Sequence, residues 1–533
     1  MASQTHSADA RPLTPLLVAA LGAAVMAVSL AHSPSTAAVG AVAFAGALVL
    51  ALVQTSRPIF TWPNAIVGLV LVIWLIPIKL YRLPAGLPFN LEIYRIAVAV
   101  LVLAFVVAVL SGRLPLTAGG HGKAIAAFAG VALASQIVNW GELEAAAGSS
   151  QALKSLSYFV SFVAIFMLIA ASIERFSDAK HIVGAVVAGG AVVAFAAIIE
   201  SRTRSNLFED LDNWIPGLVK LPRELEDLRG GRLRVRGSAQ HPIALGVALT
   251  MIVPLGLVLA QYAATRARRL LWLLAAGLCT MGALVTVSRT VVVMAIAMVA
   301  AGLLLRPRQV LRFWPVLLVL PAFAHAAAPG TLGALYKSIF PEEGLTSELS
   351  GRAELGGSGR LADFDPGLEL WRESPLVGRG LGHVATTATT IAEGATQGAT
   401  GFAIIFDNQY LATLVALGAL GLIAAIWVVW GAAFKLLAAG RRHRTGPEAD
   451  LVSACAIACV GFGASMMFFD AFQFVQASLV FFIVAAVGLR LRELGLDPAP
   501  VIPLGERRDA ARRRRGLTVW DWTMRREGSR QQT

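Results

Sequence analysis

The sequence predicts an all-α protein, a polytopic bundle of transmembrane helices. Hydrophobic residues fill 57% of its 533 positions, only 14% are charged, and the mean hydropathy is +0.70. No water-soluble core hides that much apolar surface. Uncharged runs of about 17 to 20 residues recur along the chain, each able to cross a hydrocarbon slab of roughly 30 Å as a helix.

Apolar runs bounded by charge, Pro or Gly place helices near 13–31, 36–53, 64–79, 93–110, 124–140, 153–173 and 182–200, then near 242–261, 270–287, 290–305, 313–328, 409–430, 451–469 and 474–489. That is about fourteen spans, or about twelve if the runs holding Pro77 and Pro315 are interrupted. The first run follows Arg11 with no small-residue cleavage site behind it, so it reads as an anchor. Cys279, Cys455 and Cys459 all fall inside apolar runs, which points to packed free thiols.

Lysine and arginine set the orientation, because short positive loops stay in the cytoplasm. With the amino terminus inside, the inner connections hold Arg11, Arg57, Arg113, Lys123, Arg175, Lys180 and the basic clusters at 266–269, 306–312 and 435–444, while the outer ones hold Lys79, Arg82, Arg95, Lys154 and Arg289. Both termini are then cytoplasmic in a bacterial plasma (inner) membrane. Two long polar segments, 201–240 and 329–408, face outward and are too long to be plain connectors. The organisation expected is helices over 1–200, a core with both outer loops over 201–430, further helices over 431–489 and a basic tail over 490–533.

The tail holds Arg507, Arg508, the run Arg512 to Arg515, Arg525, Arg526 and Arg530 beside Trp520 and Trp522. Beside the cytoplasmic leaflet, such residues suit anionic lipid, each contributing about 1 kcal/mol near the surface, or form a solvated tail. Nucleic acid is not an expected partner.

Candidate chemistry lies in the outer loops. Arg232, Arg234 and Arg236 alternate just before a membrane helix that begins after Gln240 and His241. On an extended backbone they form a cationic comb for a phosphate or diphosphate, or they snorkel at the interface. Ser288, Arg289 and Thr290 are nearly all that separates two apolar runs. An arginine so close to lipid depth needs a polar cavity, an anion or a structural partner.

The second loop carries Arg360, then Leu361, Phe364, Leu368 and Trp371 at the spacing of a short amphipathic helix, then the glycine-rich stretch Pro375 to Gly382. That stretch lacks the lysine and hydroxyl residue of a phosphate-binding Walker loop. The loop ends in Asp407, Asn408, Gln409 and Tyr410 at a helix mouth, where Asp407 and Asn408 either cap the helix or hold a sugar hydroxyl. Asp470 sits in a short outer turn, and His325 reads as a packed histidine. No His, Cys or carboxylate cluster has metal-site spacing, and no cofactor is expected.

Four segments in this order, RVRGSAQHPIALG (234–246), VSRT (287–290), Arg360 to Gly382 with its PLVGRGLG, and DNQYLATLVALGALG (407–421), resemble the O-antigen ligase and polymerase family of bacterial membrane glycosyltransferases. The resemblance implies a glycan on undecaprenyl diphosphate, transferred by a metal-independent, inverting reaction to a glycan or lipid acceptor. It also allows a partner that regulates chain length. It makes Arg234, Arg236, Arg289 and Arg360 the clamps on the departing diphosphate, and Asn408, Tyr410 and Ser288 substrate or acceptor contacts. Ligases of the family carry a histidine near the end of the second loop. Here that place reads Asp407, leaving Asp407, His383 and His241 as candidates for the base and tilting the reading from lipid ligation toward polymerisation of repeat units. A flippase for lipid-linked oligosaccharide is the competing class, but it should concentrate charge in a central cavity. A polyprenyl-monophosphate sugar transferase needs a carboxylate in its first outer loop, and 31–36 has none.

Overall fold

A computed structural model describes residues 61–84, 90–145, 149–213, 215, 217–221, 228–229, 232–312, 325, 328–339, 364–383, 406–442 and 446–495. The predicted spans at 13–31 and 36–53, most of that at 313–328, the basic tail after Gly495, and Arg360 lie outside the described residues; His325, expected as a packed histidine, is exposed.

The membrane-type helices are α1 (Trp62–Leu75), α2 (Ile93–Leu110), α3 (Gly122–Val138), then after short α4 (Trp140–Ala145) α5 (Ser149–Ser172) and α6 (Phe176–Thr203). They continue with α7 (Pro242–Gln261), α8 (Arg266–Val285) and α9 (Arg289–Leu305). Short helices α10 (Pro307–Arg312), α11 (Thr331–Ile339) and α12 (Phe364–Glu373) precede α13 (Gln409–Arg442), α14 (Pro447–Ser465) and α15 (Val475–Glu493). Among the described residues, eight helices are long and apolar enough to cross a membrane, and α1, α3 and α9 are shorter apolar helices. Strands are confined to two small ladders, β1 (Tyr81–Arg82) with β2 (Val219–Lys220) and β3 (Leu228–Arg229) with β4 (Arg232–Leu233).

Several boundaries depart from the sequence reading for local reasons. Helix α1 stops at Leu75, four residues early, because Pro77 forces Ile76 into extended backbone. That releases Lys79, at φ +62°, into the loop end of the bundle. Helix α13 runs twelve residues past the expected 430, so Lys435, Arg441 and Arg442 ride its last turns instead of a connection. Lys435 donates from there to the Gly120 carbonyl at 2.7 Å. The expected amphipathic helix returns as α12, and Leu361 of its stripe lies outside the described residues. Phe364 is exposed, and Gly367 and Leu370 face the Phe406, Leu411 and Val415 cluster.

Helix α15 is the post around which the others stand. It is 89% buried, packs against α5, α7, α13 and α14, and carries Phe481 and Phe482 into the Phe162 and Phe462 rings. Small residues set the other close approaches. Gly189 and Gly190 on α6 leave room for the indole of Trp74 on α1, and Gly282 on α8 lies against Ala194 and Leu249. The three cysteines are buried and free.

At the end away from the long loops, Asp450 fastens four elements. Its carboxylate accepts from Arg306 Nε at 2.9 Å, Tyr262 Oη at 2.8 Å, and the Gln261 and Gln309 amides at 3.1 Å, while Arg306 also donates to the Gly440 carbonyl. Both charged groups are nearly sealed off. Asp450→Ala leaves the Arg306 guanidinium buried without its counter-ion, and thermal unfolding in detergent should show a loss of about 3 kcal/mol. Asp450→Asn, which keeps an acceptor, should lose less.

Candidate active site at the loop end of the bundle

Helix α13 is broken nine residues in. Gly418 lies at φ +67° and ψ −169°, far from helical geometry, so the turns on either side lose their internal hydrogen bonds. In an apolar surrounding those backbone groups need partners from the protein itself. The stretch Pro375 to Gly380 supplies them. Arg379 and Gly380 N–H groups donate to the Val415 and Ala416 carbonyls at 3.0 and 2.9 Å, and the Ala419 and Leu420 N–H groups donate to Pro375 and Leu376 carbonyls at 2.9 and 3.3 Å. Contact is so close that a Cβ on Gly378 would stand 2.4 Å from the Ala416 carbonyl carbon, and one on Gly418 would stand 2.3 Å from the Leu376 carbonyl group. Asn139 on the α3–α4 bend holds the Gly378 carbonyl at 3.0 Å, and Gln136 takes the Leu381 N–H at 2.8 Å.

This docking closes one wall of a cavity of about 250 Å³. The first half of α13 contributes Gln409, Thr413 and Leu417, the docked loop Leu381 and Gly382, and α5 Tyr158; Asp407 and Asp470 face into the same space. Aromatic walls from Phe406, Phe472 and Phe474 complete it.

The turn Asp470 to Phe474, between α14 and α15, is the opposite wall and a junction. The Gln473 carbonyl accepts from Gln240 at 2.9 Å and from Lys79 Nζ at 3.0 Å, the Phe472 N–H donates to Gln409, and Phe474 stacks on His241 at 5.0 Å. Behind it lies a buried charged group. The Lys79 N–H donates to Glu92 at 2.7 Å, Glu92 pairs with Arg95 at 3.6 Å, and the Arg95 guanidinium lies 4.7 Å from the Tyr158 ring centre and bonds Ser157. Burial, with Lys154 nearby, holds Lys79 down to about 8. Burial pushes Asp470 up to about 7, with Asp407 adding to the rise against the pull of Lys79.

The arginine segment leads into Gln240 and His241, which hold that turn. Buried Glu200, at the end of α6, accepts the backbone N–H groups of Arg236 and Gly237 at 3.2 and 2.9 Å, and Asn206 takes the Gly237 carbonyl at 2.9 Å. β4 ends at Leu233, Val235 is fully buried between the arginines, and Arg234 is itself buried. Arg236 is half-buried. Close by, Val287 holds φ +49°, a strained conformation for a β-branched residue, and turns the chain between α8 and α9 so that half-buried Arg289 opens α9. Gly246 in the first turns of α7 lies against Thr286 and Val291, which joins this turn to the helix that Arg236 precedes.

Residues 274–426 match the family model described as O-antigen ligase. Over that segment the chain is similar to the O-antigen ligase family. The matched segment takes in the strained turn before α9, the second loop and the broken first half of α13. No curated protein matches the chain.

Within the matched segment, the structure sets Asp407 in the cavity wall. Asn408 caps α13, its Oδ1 accepting from the Tyr410 and Leu411 N–H groups at 2.9 and 3.2 Å. The Tyr410 hydroxyl turns away to the Gly463 carbonyl at 2.7 Å and accepts from Trp430 at 2.8 Å. Ser288 is the buried residue just ahead of α9. His383 stands one residue past the cavity wall, its pKa lowered by burial and by Arg379. Outside the matched segment, His241 caps α7 by accepting the Ile243 N–H on Nδ1 at 3.1 Å. Among the described residues no group of three His, Cys, Asp or Glu could hold a metal ion.

Sequence reasoning passed over Glu92, Glu200 and Lys79 as site members and treated Asp470 as a plain turn residue. Their only signal was charge in short connections beside long apolar runs. The docking of loop on broken helix makes a direct demand: Gly378→Ala or Gly418→Ala should cost about 2 kcal/mol or more of stability, read as earlier unfolding in detergent. Gly333→Ala, with open space around it, should leave unfolding unchanged.

Proposed function

We propose that the protein is a membrane glycosyltransferase that polymerises repeat units carried on undecaprenyl diphosphate at the outer face of a bacterial plasma membrane. Transfer of a finished glycan to a lipid or protein acceptor is the neighbouring reading. The observation that carries it is the presentation of Arg236 and Arg289 at the loop end of the bundle. One is fixed by Glu200 and the other by the strained Val287 turn inside the segment similar to the O-antigen ligase family.

The chemistry asks for this. An acceptor hydroxyl attacks the anomeric carbon, the bond from that carbon to the diphosphate oxygen breaks, and the departing diphosphate carries away the electron pair. Guanidinium groups held in place before the charge develops stabilise that departure without a metal ion. Attack opposite the leaving group inverts the anomeric centre. The alternation of basic connections supports an active end facing outward with both termini cytoplasmic. Arg360 and the basic tail enter as a third diphosphate contact and an anionic-lipid anchor, and a chain-length regulator is the expected protein partner.

Transport is supported less well. The polar groups of the site gather at one end of the bundle, and its middle is filled by α15 with its phenylalanine rings.

Membranes bearing wild type, Arg236→Ala or Arg289→Ala, given a verified lipid-linked repeat unit and EDTA, test the reading by product size. A ladder from wild type, cut by about a hundredfold or more in each variant, marks a polymerase; a single product marks a ligase; no product turns the reading to transport. Glu200→Ala, which frees the Arg236 backbone, should lower the rate in the same direction, and Glu200→Gln, which keeps one acceptor oxygen, should lower it less.

A further inference from the structure

The cavity beside the broken helix has a role that the arginines do not fill. Its walls alternate aromatic faces (Tyr158, Phe472, Phe474) with amides and carboxylates (Gln409, Asp407, Asp470). Flat apolar surfaces for C–H faces, with a few convergent polar groups for hydroxyls, suit a sugar ring. We propose that this cavity is the acceptor-sugar subsite and that Asp470 takes the proton of the attacking hydroxyl. The inference rests on the glycosyltransferase reading above.

The step balances within that reaction. The acceptor oxygen bonds to the donor's anomeric carbon, the carbon to diphosphate-oxygen bond breaks, the diphosphate leaves with the electron pair toward Arg236 and Arg289, and the hydroxyl proton passes to an Asp470 carboxylate oxygen.

Geometry singles out Asp470 over Asp407. It stands on a turn fixed from three sides: Gln240 and Lys79 hold the Gln473 carbonyl, Gln409 holds the Phe472 N–H, and the Phe474 N–H closes back on the Asp470 carbonyl at 3.3 Å. A base must be held still against its target, and this turn is held. The same turn is bonded to Gln240 and stacked on His241, which follow Arg236 by four and five residues and tie the cavity wall to the arginine segment.

The surrounding charges fit the task. Lys79 faces Asp470 from the loop after α1, with Glu92, Arg95 and Lys154 behind it, Asp407 faces it from the start of α13, Tyr158 lines the far wall, and His241 lies behind Phe474. Burial, with Asp407 adding to it, raises the Asp470 carboxyl toward neutrality, where a carboxylate is suited to accept a proton.

The experiment measures kcat, acceptor KM and the pH profile of wild type, Asp470→Asn, Asp470→Glu, Asp407→Asn and Lys79→Met in membranes with the verified donor. Wild-type kcat should rise with pH through about 7 as Asp470 ionises. Asp470→Asn should lose about a hundredfold or more in kcat together with that pH dependence, while its capture of undecaprenyl diphosphate stays at the wild-type level. Lys79→Met removes a cation that favours the carboxylate, so the rising limb should move to higher pH. If Asp470→Asn misfolds, a displaced limb in Asp470→Glu carries the decision. A wild-type rate and profile in Asp470→Asn, or loss of the limb in Asp407→Asn alone, overturns the assignment. Absence of any product from wild type overturns instead the glycosyltransferase reading on which it rests.

Discussion

A helix broken in an apolar surrounding is the constraint on which the rest of this structure depends. At Gly418 the turns on either side are left with N–H and C=O groups that neither water nor lipid can satisfy. Each such group, left bare, costs about 1–3 kcal/mol. The Pro375 to Gly380 stretch meets four of them by running its own backbone against the break, and only glycine at 378 and 418 permits that approach. The cavity is a by-product of this solution. Leu381 and Gly382 reach its wall because the preceding residues are docked, and Gln409 and Thr413 reach it because the first half of α13 is held as a separate unit.

The second constraint is charge. Lys79, Glu92 and Arg95 sit among apolar helices at the loop end, where an isolated ion is expensive. They persist by sharing one another and the Tyr158 face. At the far end Asp450 and Arg306 solve the same problem with a full set of hydrogen bonds. The contrast separates a fastening from a site. Asp450 spends its carboxylate on holding helices together, whereas Asp470 lines a cavity.

Much of the bundle was legible in the sequence because apolar length is a local property. The runs at 93–110, 153–173 and 242–261 return as helices within a few residues of their expected ends. Where prediction slipped, a single group decided. Pro77 ended α1 early, and the carbonyl of Gly120, from another part of the chain, gave Lys435 a partner that lets α13 continue. The motif order RVRGS, VSRT, PLVGRGLG and DNQY was legible too, but not its mechanics. The Asn408 cap was one of the two readings the sequence offered, but nothing local says that Gly378 answers Gly418, that Glu200 holds Arg236 from thirty-six residues away, or that Tyr410 turns its hydroxyl to packing. These are pairings across the fold, and a single sequence carries no record of them.

The arrangement around the 470–474 turn bears on how an inverting transfer could run at a membrane surface. Displacement at an anomeric carbon needs the incoming oxygen and the departing diphosphate on opposite sides, in surroundings that favour loss of a proton on one side and growth of negative charge on the other. One environment cannot do both well: cations near the base weaken it, and carboxylates near the diphosphate oppose its charge. Asp407 and Asp470 line the cavity, and the 470–474 turn is tied through Gln240 and the His241–Phe474 stack to the chain that follows the Glu200-held arginine segment. Lys79 donates to the Gln473 carbonyl of that turn and favours the carboxylate form of Asp470 beside it, so the cation that steadies the turn also bears on the pH at which its carboxylate ionises.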